Sequence, residues 1–330
     1  MKSCLVIGAG IAGLMAATEL QTAFDKVTVL DKGRGVGGRM ASRRLPFDEQ
    51  MGRADHGAQY LTVRSDAMRC YVDQWLDAGI VREWSQGFYD GAGEPHFNGV
   101  PRYIGVGGMT AVAKHLAKDL NVHTATRVVR IEHRGQFMVT TEGGEQFSAE
   151  TLILTPPAEQ TLTLIDSGNI TLEPAVRASL EAIQFNPCFA VMAILDRPSA
   201  IHAPGGVWPT TNEPISWVAD NQQKGVSDHP SVTIHAGPQF TCIHWESDRA
   251  VVAEKLIAAA RPLIGDGAIL SSSVQRWKYS IPTQLHPEPC LVSTQTAPII
   301  FAGDAFEGAR VEGAALSGLT AAARLRTLTL

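Results

Sequence analysis

The chain has 330 residues, 45% of them apolar, and a formal net charge of −5. That suffices for one large domain or two ordinary ones with a sizeable core, and with no basic patch standing out it argues against a nucleic acid partner. No uninterrupted apolar stretch reaches the roughly 18 residues of a membrane span, and five scattered cysteines without CxxC spacing suit buried thiols in a reducing cytoplasm.

The chain opens with an apolar strand that runs into Gly8-Ala9-Gly10-Ile11-Ala12-Gly13, a GxGxxG turn, and then into a helical stretch to about Leu20. Gly8 permits the sharp turn off the strand. Gly10 lets the backbone approach a pyrophosphate, and Gly13 lets helix and strand pack closely. Ile11 and Ala12 sit at the helix start, where free N–H groups and a positive dipole end favour phosphate. Because the glycine turn interrupts the first apolar run, it is not read as a targeting signal. Val27-Thr28-Val29-Leu30 is a second strand, ending in Asp31 and Lys32. Asp31 lies 18 residues after Gly13, where a ribose hydroxyl needs an acceptor and a 2′-phosphate is repelled. The doublet Gly37-Gly38, followed by Arg39-Met40, adds a cation for the pyrophosphate. Strand, turn, acid and doublet in this order point to FAD held by its ADP half. The nearby Arg34, Arg43 and Arg44 read as contacts to an anionic cofactor or as a solvated face.

Asp55-His56-Gly57-Ala58-Gln59-Tyr60 reads as a turn back toward the cofactor. Helical spacing runs from Ser65 to about Ile80, and residues 85–104, rich in Gly and Pro, read as loop or short hairpin. Gly107-Gly108-Met109 opens a helix to about Leu120, its bare backbone suited to the edge of the flavin ring. A meander follows at 123–133, 136–141 and 146–154, ending near Thr155. Residues 160–185 read as helix; 187–196, 214–220, 231–236, 240–245 and 273–279 as strands; 248–264 as helix. The buried strand Pro298–Ala302 ends in Gly303-Asp304, and Asp304 is placed to accept a ribityl hydroxyl. Glu312, Gly313 and Ala314 start the last helix, whose N–H groups suit the pyrimidine oxygen of a flavin. The expected fold is α/β: a Rossmann-type FAD domain with an inserted α+β substrate lobe on a mixed sheet. The expected split is 1–64, 105–158 and 290–330 for FAD, and 65–104 and 159–289 for substrate.

In the strand over 275–279, Trp277 and Tyr279 share a face and Lys278 takes the other. The two aromatics are either a wall on the substrate side of the flavin or simply core. His235 faces away from Val232, Ile234 and Ala236. It suits a carboxamide, or is a satisfied structural histidine. Asn221 matches an amide or is an ordinary turn residue. Tyr60 and Gln59 lie on a turn expected to abut the flavin ring. No metal-ligand spacing appears among the ten histidines.

These motifs, with Trp217-Val218-Ala219-Asp220-Asn221, Ile234-His235-Ala236, Arg276-Trp277-Lys278-Tyr279 and Gly303-Asp304 through Gly318, resemble the flavin-containing amine oxidase superfamily. Within it they resemble the renalase family, over nearly the whole length. His56 departs from the usual apolar residue before Gly-Ala-Gln-Tyr. The resemblance implies a two-lobed fold like that of p-hydroxybenzoate hydroxylase and FAD bound without a covalent link. It also implies oxidation of 1,2- and 1,6-dihydro isomers of NAD(P)H to NAD(P)+ and hydrogen peroxide, with oxygen as acceptor. Adenine contact at the main chain of Val128 is carried over from relatives. The remaining alternative is an amine oxidase or desaturase of the same superfamily. The expected state is a cytoplasmic monomer or weak dimer.

Overall fold

A computed structural model describes residues 2–329. Two lobes share the chain discontinuously. The first is built on a six-stranded sheet in which Ser3–Ile7 is central, flanked by Lys26–Leu30 and Asn121–His123 on one side and by Thr151–Leu154, Ile299–Phe301 and Leu291–Ser293 on the other. All pairs are parallel except the last. The strands Ser3–Ile7 and Thr151–Leu154 are buried along their whole length, as expected of parallel strands covered on both faces. The first helix, Ile11–Leu20, packs on the last, Val311–Leu328. The two approach so closely that a Cβ on Gly318 would overlap the carbonyl oxygen of Ala12. The two ends of the chain therefore build one lobe.

The second lobe is a seven-stranded mixed sheet in which Gln184–Leu195 lies between Ile269–Gln284 and Ser231–Ala236, continued by Ile215–Asp220, Gly206–Trp208, Val81–Asp90 and Pro95–Gly105. The helix Arg249–Ile264 covers one face. Asp248 caps it by accepting from Ala250 N at 2.7 Å, and Val252, Leu256, Ala260 and Ile264, four residues apart, are buried against the sheet.

Several elements differ from the sequence expectation. Of the two readings for residues 85–104 the hairpin holds and the loop does not, but the strands are long, and their glycines mark bulges and close approach. The segment 240–245 is not a strand but part of the helix Pro238–Ile243, which proline at its first position starts. The helical stretch 160–185 is two helices, Ala158–Asp166 and Pro174–Glu181. The stretch 146–154 splits between two sheets, since Gln146–Ala149 closes a three-stranded meander and Thr151–Leu154 enters the parallel sheet. Residues 42–55 form a hairpin that was not foreseen.

Packing crosses the expected split. The helix Asp66–Asp77 sets Met68, Val72 and Trp75 in a core shared by the first and last helices and by Trp84, Phe88 and Trp217 of the second sheet. The helices at 158–181 share a core with strands of the first sheet. The hairpin 42–55 goes the other way and buries Leu45 and Ala54 on Met192 and Ile194 of the second lobe. Two of the thiols, Cys70 and Cys242, are exposed, contrary to the uniformly buried expectation. No helix of the described residues is long and apolar enough to cross a membrane.

Between the lobes lies a buried ion pair, Asp55 with Lys224 at 2.8 Å, both side chains 0% exposed. Burial pushes the Lys224 ammonium down, against the upward pull of Asp55. Removing the cation leaves an uncompensated buried carboxylate, which costs about 3–5 kcal/mol. Lys224→Met is therefore expected to lower unfolding free energy in urea by that order, and Lys224→Met with Asp55→Asn to recover part of it; an unchanged midpoint for the single variant would contradict the pair's role.

Candidate active site

The glycine turn has the geometry its spacing implies. Gly8 has φ +110°, and a Cβ there would overlap Thr155 Oγ1, which itself donates to Ile7 O at 3.0 Å. A Cβ on Gly13 would overlap Gly8 O. Gly10 differs: nothing lies within 4 Å of its Cβ position, so its outer side is open. It caps the helix, and the first intrahelical bond runs from Leu14 N to Gly10 O, leaving the N–H groups of Ile11, Ala12 and Gly13 without a helical acceptor. The side chains of Ile11 and Ala12 are buried, so these residues serve a ligand through their main chain. The glycine doublet folds onto the turn: Gly37 N donates to Ala9 O at 2.8 Å, and a Cβ on Gly38 would sit 3.6 Å from Gly10 Cα. An open glycine beside unpaired N–H groups fits a diphosphate.

Asp31 accepts from Ala9 N and Gly33 N, both at 2.6 Å. Its carboxylate thus braces the turn, and its remaining lone pairs could accept from a ribose hydroxyl. Lys32 reaches Gln160 Oε1 at 2.7 Å, and burial followed by the nearby Arg127 pushes its ammonium down. Val128 borders the same end.

One cleft of about 1430 Å³ brings together Gly8, Gly10, Asp31, Lys32, Gly38, Arg39, Val128, Thr155, Trp277 and Tyr279. That exceeds the roughly 300–1,000 Å³ of an ordinary small-molecule pocket. The lining contains seven arginines and three lysines against one carboxylate, Asp31. In a chain of net charge −5 this is a strong local inversion.

Trp277 and His56 close one wall. Their rings stack with centroids 5.4 Å apart and an 18° interplanar angle, and Trp277 Nε1 donates to His56 O at 2.9 Å. His56, the departure noted in the sequence, is pushed down to about 4, first by burial and then by Arg43. His235 is pushed down to about 4 by burial and then by Lys224. His56 Nδ1 and His235 Nε2 are buried without hydrogen-bond partners; His56 lines the cleft, whereas the expected substrate residue His235 is not among its lining residues. Tyr279 packs edge-on to Phe185, 5.7 Å between centroids, and Lys278 pairs with Glu159 at 2.7 Å.

Other expected contacts are engaged elsewhere. Asn221 is fully buried, donates to Thr233 Oγ1 at 3.0 Å and accepts from Asp55 N at 3.2 Å, so it presents no amide to a substrate. Gln59 donates to Asp55 O and Gly57 O and accepts from Lys224 Nζ. Met109 N donates to Asp55 Oδ1 at 2.9 Å, and a Cβ on Gly108 would overlap Ser42 Oγ, so this backbone holds the lobe junction rather than a ring edge. Met40 is core. Tyr60 lies among Trp84, Phe88 and Trp217, outside the cleft.

Arg39 and Asp304 form a bidentate pair at 2.6 and 2.7 Å, so neither offers the free charge expected of it. Gly303 N donates to Ser317 Oγ. Glu312 accepts from Arg64 N, Ser65 N and Ser65 Oγ, which ties the start of one helix to another and takes its carboxylate away from any cofactor. In the last helix, Gly313 packs against Gly308, Ala314 N already donates to Arg310 O, and only the N–H groups of residues 311–313 lack a helical acceptor. The Asp55–Lys224 pair and the exposed Arg53 were missed. Neither has a local motif, because their partners are 169 and more residues away or across a hairpin.

Residues 81–326 match the family described as flavin containing amine oxidoreductase, and residues 6–75 match the NAD(P)-binding Rossmann-like domain. The chain belongs to the flavin-containing amine oxidoreductase family. A 50-residue stretch is 42% identical to the protein described as "putative L-amino-acid oxidase YobN" of Bacillus subtilis, covering 15% of this chain and 10% of that protein. The chain thus matches only about a tenth of the length of such curated relatives. Two solved structures are similar over 99% of both chains. One is described as "putative protoporphyrinogen oxidase" from Exiguobacterium sp. 255-15, with TM-score 0.74 and 14% identity. The other is wild-type putrescine oxidase bound to putrescine, with TM-score 0.69 and 15% identity. At these identities they establish the fold: a Rossmann-like FAD domain with a mixed-sheet substrate domain.

Two outcomes follow for the site. Gly10→Val, whose side chain meets only open space, is expected to fold with unchanged thermal stability in the flavin-free form and to purify colourless; retained flavin would contradict the turn assignment. His56 and His235 hold folded-state pKa values near 4 against 6.5 when unfolded, so the unfolded chain binds more protons between those values. Stability is complete above about pH 6.5 and falls toward pH 4, and His56→Gln should flatten part of that decline in melting temperature.

Proposed function

We propose that this member of the flavin-containing amine oxidoreductase family is an FAD-dependent oxidase of aberrant dihydronicotinamides. Its substrates would be the 1,2- and 1,6-dihydro isomers of NAD(P)H, and its products NAD(P)+ and hydrogen peroxide. The observation that carries this reading is the charge of the cleft. Of its seven arginines and three lysines, Arg39, Arg127 and Lys278 are paired with acids, and the seven cations that remain around one carboxylate favour an anionic dinucleotide and repel a polyamine.

The chemistry is consistent with the wall. A dihydropyridine becomes aromatic by losing hydride alone, so no proton is removed and no general base is needed. Bound FAD supplies the hydride acceptor and passes two electrons to oxygen. The chain's part is to hold the ring and keep water out. Trp277 and the stacked His56 offer a flat surface, and the unpartnered His56 Nδ1 in that wall offers a neutral hydrogen-bonding atom for a carboxamide. Lys278, beside Trp277 in the cleft lining, and the buried Lys224 are committed to Glu159 and Asp55. This speaks against the lysine-held water used for amines. A non-covalent FAD fits the last cysteine, Cys290, which is buried with its thiol pushed up to about 11 by that burial, a poor nucleophile.

Anaerobic mixing of the yellow protein with 1,2- or 1,6-dihydroNAD should bleach the flavin, whereas putrescine or benzylamine should not. Bleaching by amines alone would refute the reading. The reduction rate should be flat from about pH 6 to about pH 9, because both histidines stay neutral there. His56→Ala should slow reduction about three- to tenfold without releasing FAD, the loss of one neutral hydrogen bond.

A further inference from the structure

The hairpin Ser42–Phe47 and Gln50–Asp55 carries a pair of cations that nothing else in the fold explains. Arg44 and Arg53 stand directly opposite each other in register, on one face of the two strands. Like charges so placed repel. Both side chains are exposed, both line the cleft, and neither guanidinium takes part in an ion pair among the described residues. The backbone beneath them is pinned: Arg53 N donates to Ser227 Oγ and Arg53 O accepts from Ser231 Oγ. The opposite face is fixed by burial of Leu45 and Ala54. Two guanidinium groups are thus presented from a rigid strand pair into the same cleft as Trp277 and His56. Gly107, at φ +75°, faces Arg53 with no side chain; a Cβ there would lie 3.6 Å from its Nη1. The space beside the pair is left open.

The geometry points to an anion clamp in which Arg44 and Arg53 grip a phosphate of the substrate, apart from the glycine turn that receives the cofactor's diphosphate. Planar forks suit bidentate contact with phosphate oxygens, and an anion between them turns the repulsion into attraction. This rests on the dihydronicotinamide reading and deepens it: the clamp selects nucleotides over the phosphate-free nucleoside. Arg43 is not part of the fork, since it donates to Ser273 Oγ and Gln275 Oε1.

The test uses the FAD-loaded protein and Arg44→Gln/Arg53→Gln. For the unmodified protein, KM for dihydronicotinamide mononucleotide should be about ten- to a hundredfold below that for the riboside, the worth of charge-assisted bonds. In the double variant that gap should close through KM, with kcat, flavin content and the riboside kinetics unchanged. Melting temperature should hold or rise, because a repelling pair has been removed. Calorimetry with ADP-ribose gives an arm independent of turnover: binding to the loaded protein should weaken by the same factor in the variant and fall with added salt. Loss of FAD from the variant would assign the arginines to the cofactor and overturn the clamp. So would an unmodified protein blind to the phosphate, or ADP-ribose binding untouched by the substitutions. Absence of bleaching by every dihydronicotinamide would instead refute the proposed reaction, and the ADP-ribose measurement would still decide the clamp.

Discussion

One buried carboxylate sets how the lobes meet. Asp55 takes the Lys224 ammonium and the Met109 N–H on its side chain, Asn221 on its own N–H, and Gln59 and Thr233 on its carbonyl. Those partners come from the second sheet, the glycine turn of the first lobe and the loop that follows. A charge with no access to water must be paired and hydrogen-bonded. Here the pairing is met only when the hairpin, the sheet and the turn are all in place. The cleft owes its shape to that condition, because His56 follows Asp55 directly and Trp277 is bonded to the carbonyl of His56.

The two ends of the cleft then divide the work. At one end, glycines remove side chains where backbone approaches backbone, and leave N–H groups facing open space at Gly10. At the other, burial keeps His56 neutral and leaves its Nδ1 without a partner. Between them, arginines crowd together almost without acids. Arg127, paired with Glu142, and Arg39 are exceptions, the latter cancelled by Asp304 in a pair that also fastens the first segment of the chain to the last. A protein that is acidic overall has gathered its cations where a ligand must pass, a cost in self-repulsion that a bound anion removes.

Residues whose roles are set by their nearest neighbours in the chain were legible; residues whose roles depend on distant partners were not. Gly8, Gly13 and Asp31 act within one strand–turn–helix unit, and spacing alone places them. Gln59 and Asn221 were read as facing ligands because each is polar and lies on a promising loop. Each is instead spent on a backbone group or hydroxyl from another element. A polar side chain does not announce its partner when that partner is brought in by tertiary contact.

The sequence by itself determined the cofactor turn, the joining of the two chain ends into one lobe, and most strands and helices, because periodicity and glycine sterics are local. Only the tertiary structure decided that 42–55 belongs with the second sheet, that Asp55 and Lys224 are buried together, and that Arg44 faces Arg53 across an open cleft. Those outcomes depend on which desolvated groups find one another when the sheets pack, and neither composition nor spacing records that choice.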